Sequence, residues 1–160
     1  MPSTDHLSQR RQEILAALLN ARQVSPVLLT AGQPGREDFA ALHAAGYEVV
    51  INLALPTSPG ALPDEADLAA AHDLHYIALP VVWEAPTPDD LARFFAAMQA
   101  SAGRSVLVHC ALNYRASVFV YLYRVLELGH SHPAARALLD TVWQPDAVWT
   151  AFIAQALTHA

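Results

Sequence analysis

The apolar, β-branched run Val106-Leu-Val-His109 ends in the only cysteine of the chain, Cys110. Five positions later Arg115 opens a helical pattern that continues through an apolar stretch from Ser117 to Leu128. A strand, a tight loop and a helix are implied. The first backbone N–H groups of a helix lack intrahelical partners and point, with the positive end of the macrodipole, into the preceding loop, so an anion is favoured there. A thiol placed in such a loop has its thiolate stabilised, which lowers a thiol pKa from about 8.5 toward a working range for a nucleophile. Arg115 adds a planar fork able to grip two oxygens of a phosphate or sulfate.

A lone cysteine at the end of a buried strand is more commonly an inert small hydrophobe. His109, Arg115 and Ser117 all crowd this joint, however, where a purely structural loop has little use for them. His109 itself reads equally well as a structural, hydrogen-bonded ring and as a tuner of the thiolate.

With 160 residues, 54% of them hydrophobic and 15% charged, the chain is expected to be a single globular domain, 1–160. A chain of this size buries roughly 70% of its unfolded surface. The net charge of −6, with Arg as the only basic residue type besides His, argues against a nucleic-acid surface. One cysteine makes no internal disulfide, and Met1 to Arg10 lacks a signal peptide's apolar segment, so a cytoplasmic location is expected. Ser117 to Leu128 contains Arg124 and Glu127 and is shorter than the ~20 residues of a membrane span, which predicts a buried central helix.

In chain order, Leu7, Arg11, Ile14, Leu15, Leu18 and Leu19 predict an amphipathic first helix, capped by Ser3 or Thr4. Val27 to Thr30 reads as a strand broken by Gly32-Gln-Pro34, and Gly35 to Ala45 as a helix stopped by Gly46. Tyr47 to Leu53 is a strand apolar on both faces, as in a covered parallel sheet. After a Pro- and Gly-marked loop, Asp64 to Asp73 reads as a helix and His75 to Val82 as a strand. Thr87 caps the next helix, with Pro88 at its first position and Asp89 and Asp90 answering the dipole. Glu84 has no such capping role and follows a strand end, the edge where open α/β sheets bind ligands. The Asp89 helix runs to about Ala102, Ser105 to His109 is the strand before Cys110, and two further helices span His132 to Thr141 and Asp146 to Leu157. The last is expected to point Val148, Trp149, Phe152 and Ile153 inward. Alternating strands and helices predict an α/β fold, a mainly parallel central sheet with helices on both faces.

Residues His109-Cys110 and Arg115-Ala-Ser117 resemble the signature loop of the cysteine-dependent protein tyrosine phosphatase superfamily, particularly its small dual-specificity branch and bacterial relatives. That loop usually reads His-Cys, five residues, Arg, then Ser or Thr; here only Ala111, Leu112, Asn113 and Tyr114 separate Cys110 from Arg115. Aligned without a gap, Ser117 takes the hydroxyl position and Ala116 the arginine position. Asn113 stands where a Gly is common, and Asn tolerates the left-handed region such a turn demands. The four-residue spacing is also similar to the loop of rhodanese-type sulfurtransferases. The order of elements over about Leu28 to Leu128 resembles small bacterial dual-specificity-like phosphatases, in which an acid, usually Asp, on the loop after the preceding strand protonates the leaving alcohol; Glu84 stands there.

The resemblance implies a cysteine phosphatase-like fold and a phosphomonoester hydrolase working through a phosphocysteine, without metal or cofactor. Cys110 would be the nucleophile, Arg115 the clamp, Glu84 the general acid and Ser117 a hydrogen-bond donor to the Cys110 sulfur. His109, Ala111, Leu112, Asn113 and Tyr114 would form the phosphate-binding loop. The partner expected is a phosphorylated substrate, either a phosphoprotein or a small phosphoester. A rhodanese-like sulfurtransferase and an inactive phosphate-binding module stand as alternatives; an arsenate-type reductase is disfavoured for want of further cysteines.

Overall fold

The computed structural model describes residues 4–159. Five strands form one sheet in the order β1-β2-β5-β3-β4: β1 (Arg22–Ser25), β2 (Leu28–Ala31), β3 (Val49–Asn52), β4 (His75–Ala78) and β5 (Val106–His109). The pairs β2–β5, β5–β3 and β3–β4 are parallel, and β1 alone runs antiparallel along the β2 edge. β1 is absent from the sequence reading because Arg-Gln-Val-Ser offers no apolar alternation; its placement follows from pairing at an edge.

The covered strands bury residues on both faces, as their continuous Val, Ile and Leu runs require. Leu29, Val50 and Leu107 meet α1 (Thr4–Ala17), α2 (Asp38–Ala44) and α3 (Glu65–Ala71) through Ile14, Phe39, Leu42 and Ala69. On the opposite face Val49, Ile51, Val106 and Val108 meet α4 (Pro88–Ala100), α5 (Tyr114–Leu126), α6 (His132–Val142) and α7 (Ala147–Thr158) through Leu91, Phe94, Phe119, Leu139 and Trp149.

Several boundaries differ from the sequence reading. α1 is described from Thr4, so a Ser3 cap lies outside the described residues. α2 begins at Asp38, where the chain expected a start at Gly35; the Asp38 side chain accepts from the Gly35 N–H at 2.7 Å and holds a turn instead. β4 stops at Ala78, although Leu79 N–H and Val81 N–H still donate to Asn52 and Leu53, because Pro80 between them has no N–H for the ladder. Val148 is 42% exposed, contrary to expectation, whereas Trp149, Phe152 and Ile153 are buried. It lies about 100° around the helix from Trp149, and the indole occupies the core. The α4 start is as expected: Thr87 Oγ1 accepts from Asp90 N–H at 3.1 Å and Asp90 Oδ2 accepts from Thr87 N–H at 3.0 Å, a capping box.

Among the described residues no helix is long and apolar enough to cross a membrane.

Candidate active site

Strand β5 sits at the centre of the sheet, with His109 in register with Ala31 of β2 and Asn52 of β3. Cys110 therefore leaves the sheet at the carboxyl edge, between the ends of two parallel neighbours, where an open α/β sheet holds its ligand. The following turn closes through Asn113 at φ 71° and ψ 2°, left-handed as its residue type permits, and α5 starts at once with Tyr114. The first N–H groups of α5 thus face the loop that carries the cysteine.

The loop is tied down from behind. Gly32 lies against it so closely that a Cβ would come within 2.7 Å of the Ala111 carbonyl oxygen, and Gln33 N–H donates to that same oxygen at 3.0 Å. Asn20 Nδ2 donates to the Leu112 carbonyl at 2.9 Å, and Asn113 Nδ2 donates to the Asn20 carbonyl at 2.9 Å. The Gly32-Gln33-Pro34 break thus acts as a support for the cysteine loop, a role that sequence reading did not give it.

In front of the loop opens a cleft of about 570 Å³. Cys110 and Arg115 line it from the loop and first helical turn, Glu84 and Trp83 from the segment after β4, and Ser58 from the segment after β3. Leu19, expected on the inner face of α1, instead follows the helix end and lines this cleft, 51% exposed. Ala111, Leu112 and Tyr114 also contribute to the wall, while His109 and Asn113 are wholly buried behind it. Tyr114 stacks on Trp143 with ring centroids 4.6 Å apart, and Trp149 Nε1 donates to the Trp83 carbonyl at 2.9 Å, which fixes the wall that carries Glu84.

Arg115 is 5% exposed, yet among the described residues no carboxylate forms an ion pair with it. One Nη donates to the Val81 carbonyl at 2.9 Å, the other reaches Ser58 Oγ only at 3.5 Å, and the guanidinium lies 6.0 Å from the centre of the Trp83 ring. Burying a charge without a counter-charge is costly. A guanidinium held at a cleft wall in this state has the electrostatics of an anion site.

Ser117 does not stand where the resemblance put it. Its hydroxyl donates to the Tyr114 carbonyl at 2.9 Å, and it borders a small void with Arg22, Val24 and Thr30, away from the cleft lining; among the described residues it makes no hydrogen bond to Cys110. A serine in the first turn of a helix readily bonds back to a carbonyl three residues earlier.

Behind His109 lies a group that the sequence did not flag. Glu65, at the start of α3, is 2% exposed, and its Oε2 lies 2.7 Å from His109 Nε2. Its Oε1 accepts from Gln33 Nε2 at 2.6 Å. Burial by itself would push the Glu65 carboxyl up; the hydrogen bond and charge of His109, with Gln33 and Tyr76 adding theirs, outweigh it and hold the group below the usual carboxylate range. Tyr76 is pushed up, first by burial and also by the neighbouring Glu65 charge.

Solved structures share this architecture. A DUF442 protein of Shewanella putrefaciens CN-32, assigned as a phosphatase, superposes with a TM-score of 0.82 at 36% identity, over 92% of this chain and 97% of its own. TpbA of P. aeruginosa matches at 0.69 and 19% identity, covering 86% of this chain and 84% of its own. The core catalytic domain of the PP-IP phosphatase SIW14 of S. cerevisiae matches at 0.69 and 16%, covering 84% and 83%. No curated protein matches the chain. The fold is that of the small cysteine phosphatases. Residues 13–144 match the family described as the dual-specificity protein tyrosine phosphatase fused to NAD+ kinase, and the chain belongs to this family of phosphatases.

Proposed function

We propose that the protein hydrolyses phosphomonoesters through a phosphocysteine on Cys110. The thiolate attacks phosphorus in line, forming the S–P bond as the bond to the ester oxygen breaks, and Glu84 delivers its proton to that oxygen. Water then attacks the phosphocysteine, Glu84 takes the water's proton, and the S–P bond breaks to release inorganic phosphate and the thiolate. Arg115 and the N–H groups at the start of α5 stabilise the equatorial oxygens throughout, the main requirement of phosphoryl transfer.

The observation that carries this reading is the buried, carboxylate-free Arg115 in the same cleft as Cys110 and Glu84. A phosphoryl dianion supplies the missing counter-charge, and Glu84 is of use only where a leaving oxygen needs a proton. Sulfur transfer shares the cysteine but has no work for that acid. TpbA, a structural neighbour, has been crystallised in complex with pTyr, which fits a phosphorylated substrate in such a cleft.

The test is a paired assay of p-nitrophenyl phosphate hydrolysis and thiosulfate-to-cyanide sulfur transfer, with wild type and Cys110→Ser. Cys110-dependent hydrolysis without sulfur transfer is expected. Cys110-dependent sulfur transfer without hydrolysis would overturn the proposal.

A further inference from the structure

Glu65 takes no part in the mechanism above, yet it is a buried carboxylate on which several donors converge. His109 and Gln33 reach its two oxygens at 2.7 and 2.6 Å, and the Tyr76 hydroxyl adds a further contact. Each of the two close donors belongs to a residue that also holds the nucleophile loop. His109 Nδ1 lies 3.2 Å from the Cys110 carbonyl oxygen, and the Gln33 main-chain N–H donates to the Ala111 carbonyl oxygen at 3.0 Å. Both ring nitrogens of His109 face oxygen atoms, and a proton on Nδ1 lets the ring donate to the Cys110 carbonyl.

The consequence follows from peptide geometry. A trans peptide unit is planar, with its C=O and the next N–H pointing in opposite directions. The Cys110 carbonyl is directed to His109 and the Ala111 carbonyl to Gln33, and neither His109, Gln33 nor Glu65 lines the cleft. The N–H groups of Ala111 and Leu112, belonging to those same two peptide units, therefore point the other way, toward the cleft. The same arrangement keeps two carbonyl dipoles away from the Cys110 sulfur.

We propose that Glu65 is a positioning residue for the nucleophile loop: by anchoring His109 and Gln33 together, it turns the Cys110 and Ala111 carbonyls away from the cleft and so aims the Ala111 and Leu112 N–H groups at the substrate anion. The inference rests on the phosphatase reading only for its effect on turnover, not for its effect on anion binding. Without Glu65 the imidazole keeps, among the described residues, only its hydrogen bond to the residue next to it in the chain, and a ring flip would exchange Nδ1 for a carbon and release the Cys110 carbonyl.

The experiment compares wild type, Glu65→Ala and Glu65→Gln for kcat and KM on p-nitrophenyl phosphate, and for affinity for inorganic phosphate followed by Trp fluorescence. The folded fraction is measured by circular dichroism. In Glu65→Ala, kcat per folded molecule should fall by about 100-fold, the order expected when reacting groups are misplaced by an ångström, and phosphate affinity should fall with it. Glu65→Gln should restore most of both, because its amide can accept from Gln33 and donate to Nε2 of a ring that keeps its proton on Nδ1. Wild-type kcat and phosphate affinity in folded Glu65→Ala would overturn the proposal. If Glu65→Ala does not fold, ring ¹⁵N spectra of wild type and Glu65→Gln decide: a protonated His109 Nδ1 in both is expected, and an unprotonated Nδ1 in wild type would overturn it. Should wild type bind phosphate in a Glu65-dependent way but hydrolyse nothing, the phosphatase mechanism falls and the positioning role stands.

Discussion

Arg115→Met separates the stability of the ligand-free protein from its ability to hold an anion. The substitution removes the 2.9 Å hydrogen bond to the Val81 carbonyl, leaving a buried acceptor without that donor at a cost of about 1–3 kcal/mol. It also removes a guanidinium that is 5% exposed and lacks a carboxylate partner, relieving a desolvation penalty of several kcal/mol. The two effects oppose each other, so the ligand-free variant should melt at or above the wild-type temperature. In wild type, phosphate at about 100 times its Kd should stabilise by ~2.7 kcal/mol. For a chain of this length that amounts to roughly 5–10 °C in Tm. Arg115→Met should lose nearly all of that shift, and with it at least about 100-fold in kcat, the scale of removing one preorganised donor to a developing oxyanion. Thermal melts in phosphate and in chloride at matched ionic strength read both effects. An unchanged phosphate shift in Arg115→Met, or wild-type turnover in Arg115→Lys, would refute the assignment of Arg115 as the clamp and make the one-residue shortening of the loop decisive.

Three further outcomes follow from the same geometry. Glu84→Gln should slow hydrolysis of an alkyl or tyrosyl phosphate by about 10²–10⁴-fold and that of an activated aryl phosphate much less; leaving-group dependence in Asp89→Asn instead would move the acid to α4. Because the folded Glu65 carboxyl lies below its unfolded value near 4.5, its contribution to stability is present above that pH and is lost as pH falls through the folded value. Chemical denaturation of wild type between pH 6 and 3 should show this loss, and Glu65→Gln should lack it. Gly32→Ala places a Cβ 2.7 Å from the Ala111 carbonyl, so the loop must shift; kcat/KM should drop by about tenfold or more with a stability loss of ~1–3 kcal/mol, whereas wild-type kinetics would show that the support behind Ala111 is slack.

What the sequence made legible was the part encoded locally. The Val106–His109 strand, the Asn113 turn and the α5 start follow from residue types a few positions apart, and so does the capping box of Thr87 and Asp90. That local encoding also separated Glu84 from the capping aspartates, and Glu84 does line the cleft with Cys110 and Arg115. The unread parts depend on contacts distant in sequence. Glu65 reads as an ordinary acid in a first helical turn, yet it is buried because His109, 44 positions away, meets it. Arg-Gln-Val-Ser carries no strand signal, and β1 exists because β2 offers it an edge. Ser117 illustrates the limit of a resemblance carried across a shortened loop: the residue type matches, but its hydroxyl turns to the Tyr114 carbonyl.

A phosphocysteine mechanism requires that Cys110 carry the phosphoryl group during turnover. Acid-quenching the enzyme during turnover of a ³²P-labelled phosphomonoester, followed by peptide mapping, tests it most directly. Label is expected on the peptide containing Cys110, and with an activated aryl phosphate, whose leaving group needs little help from an acid, it should increase in Glu84→Gln, where attack by water on the intermediate is slowed. Steady turnover with Cys110 unlabelled, and undiminished in Cys110→Ala, would contradict it.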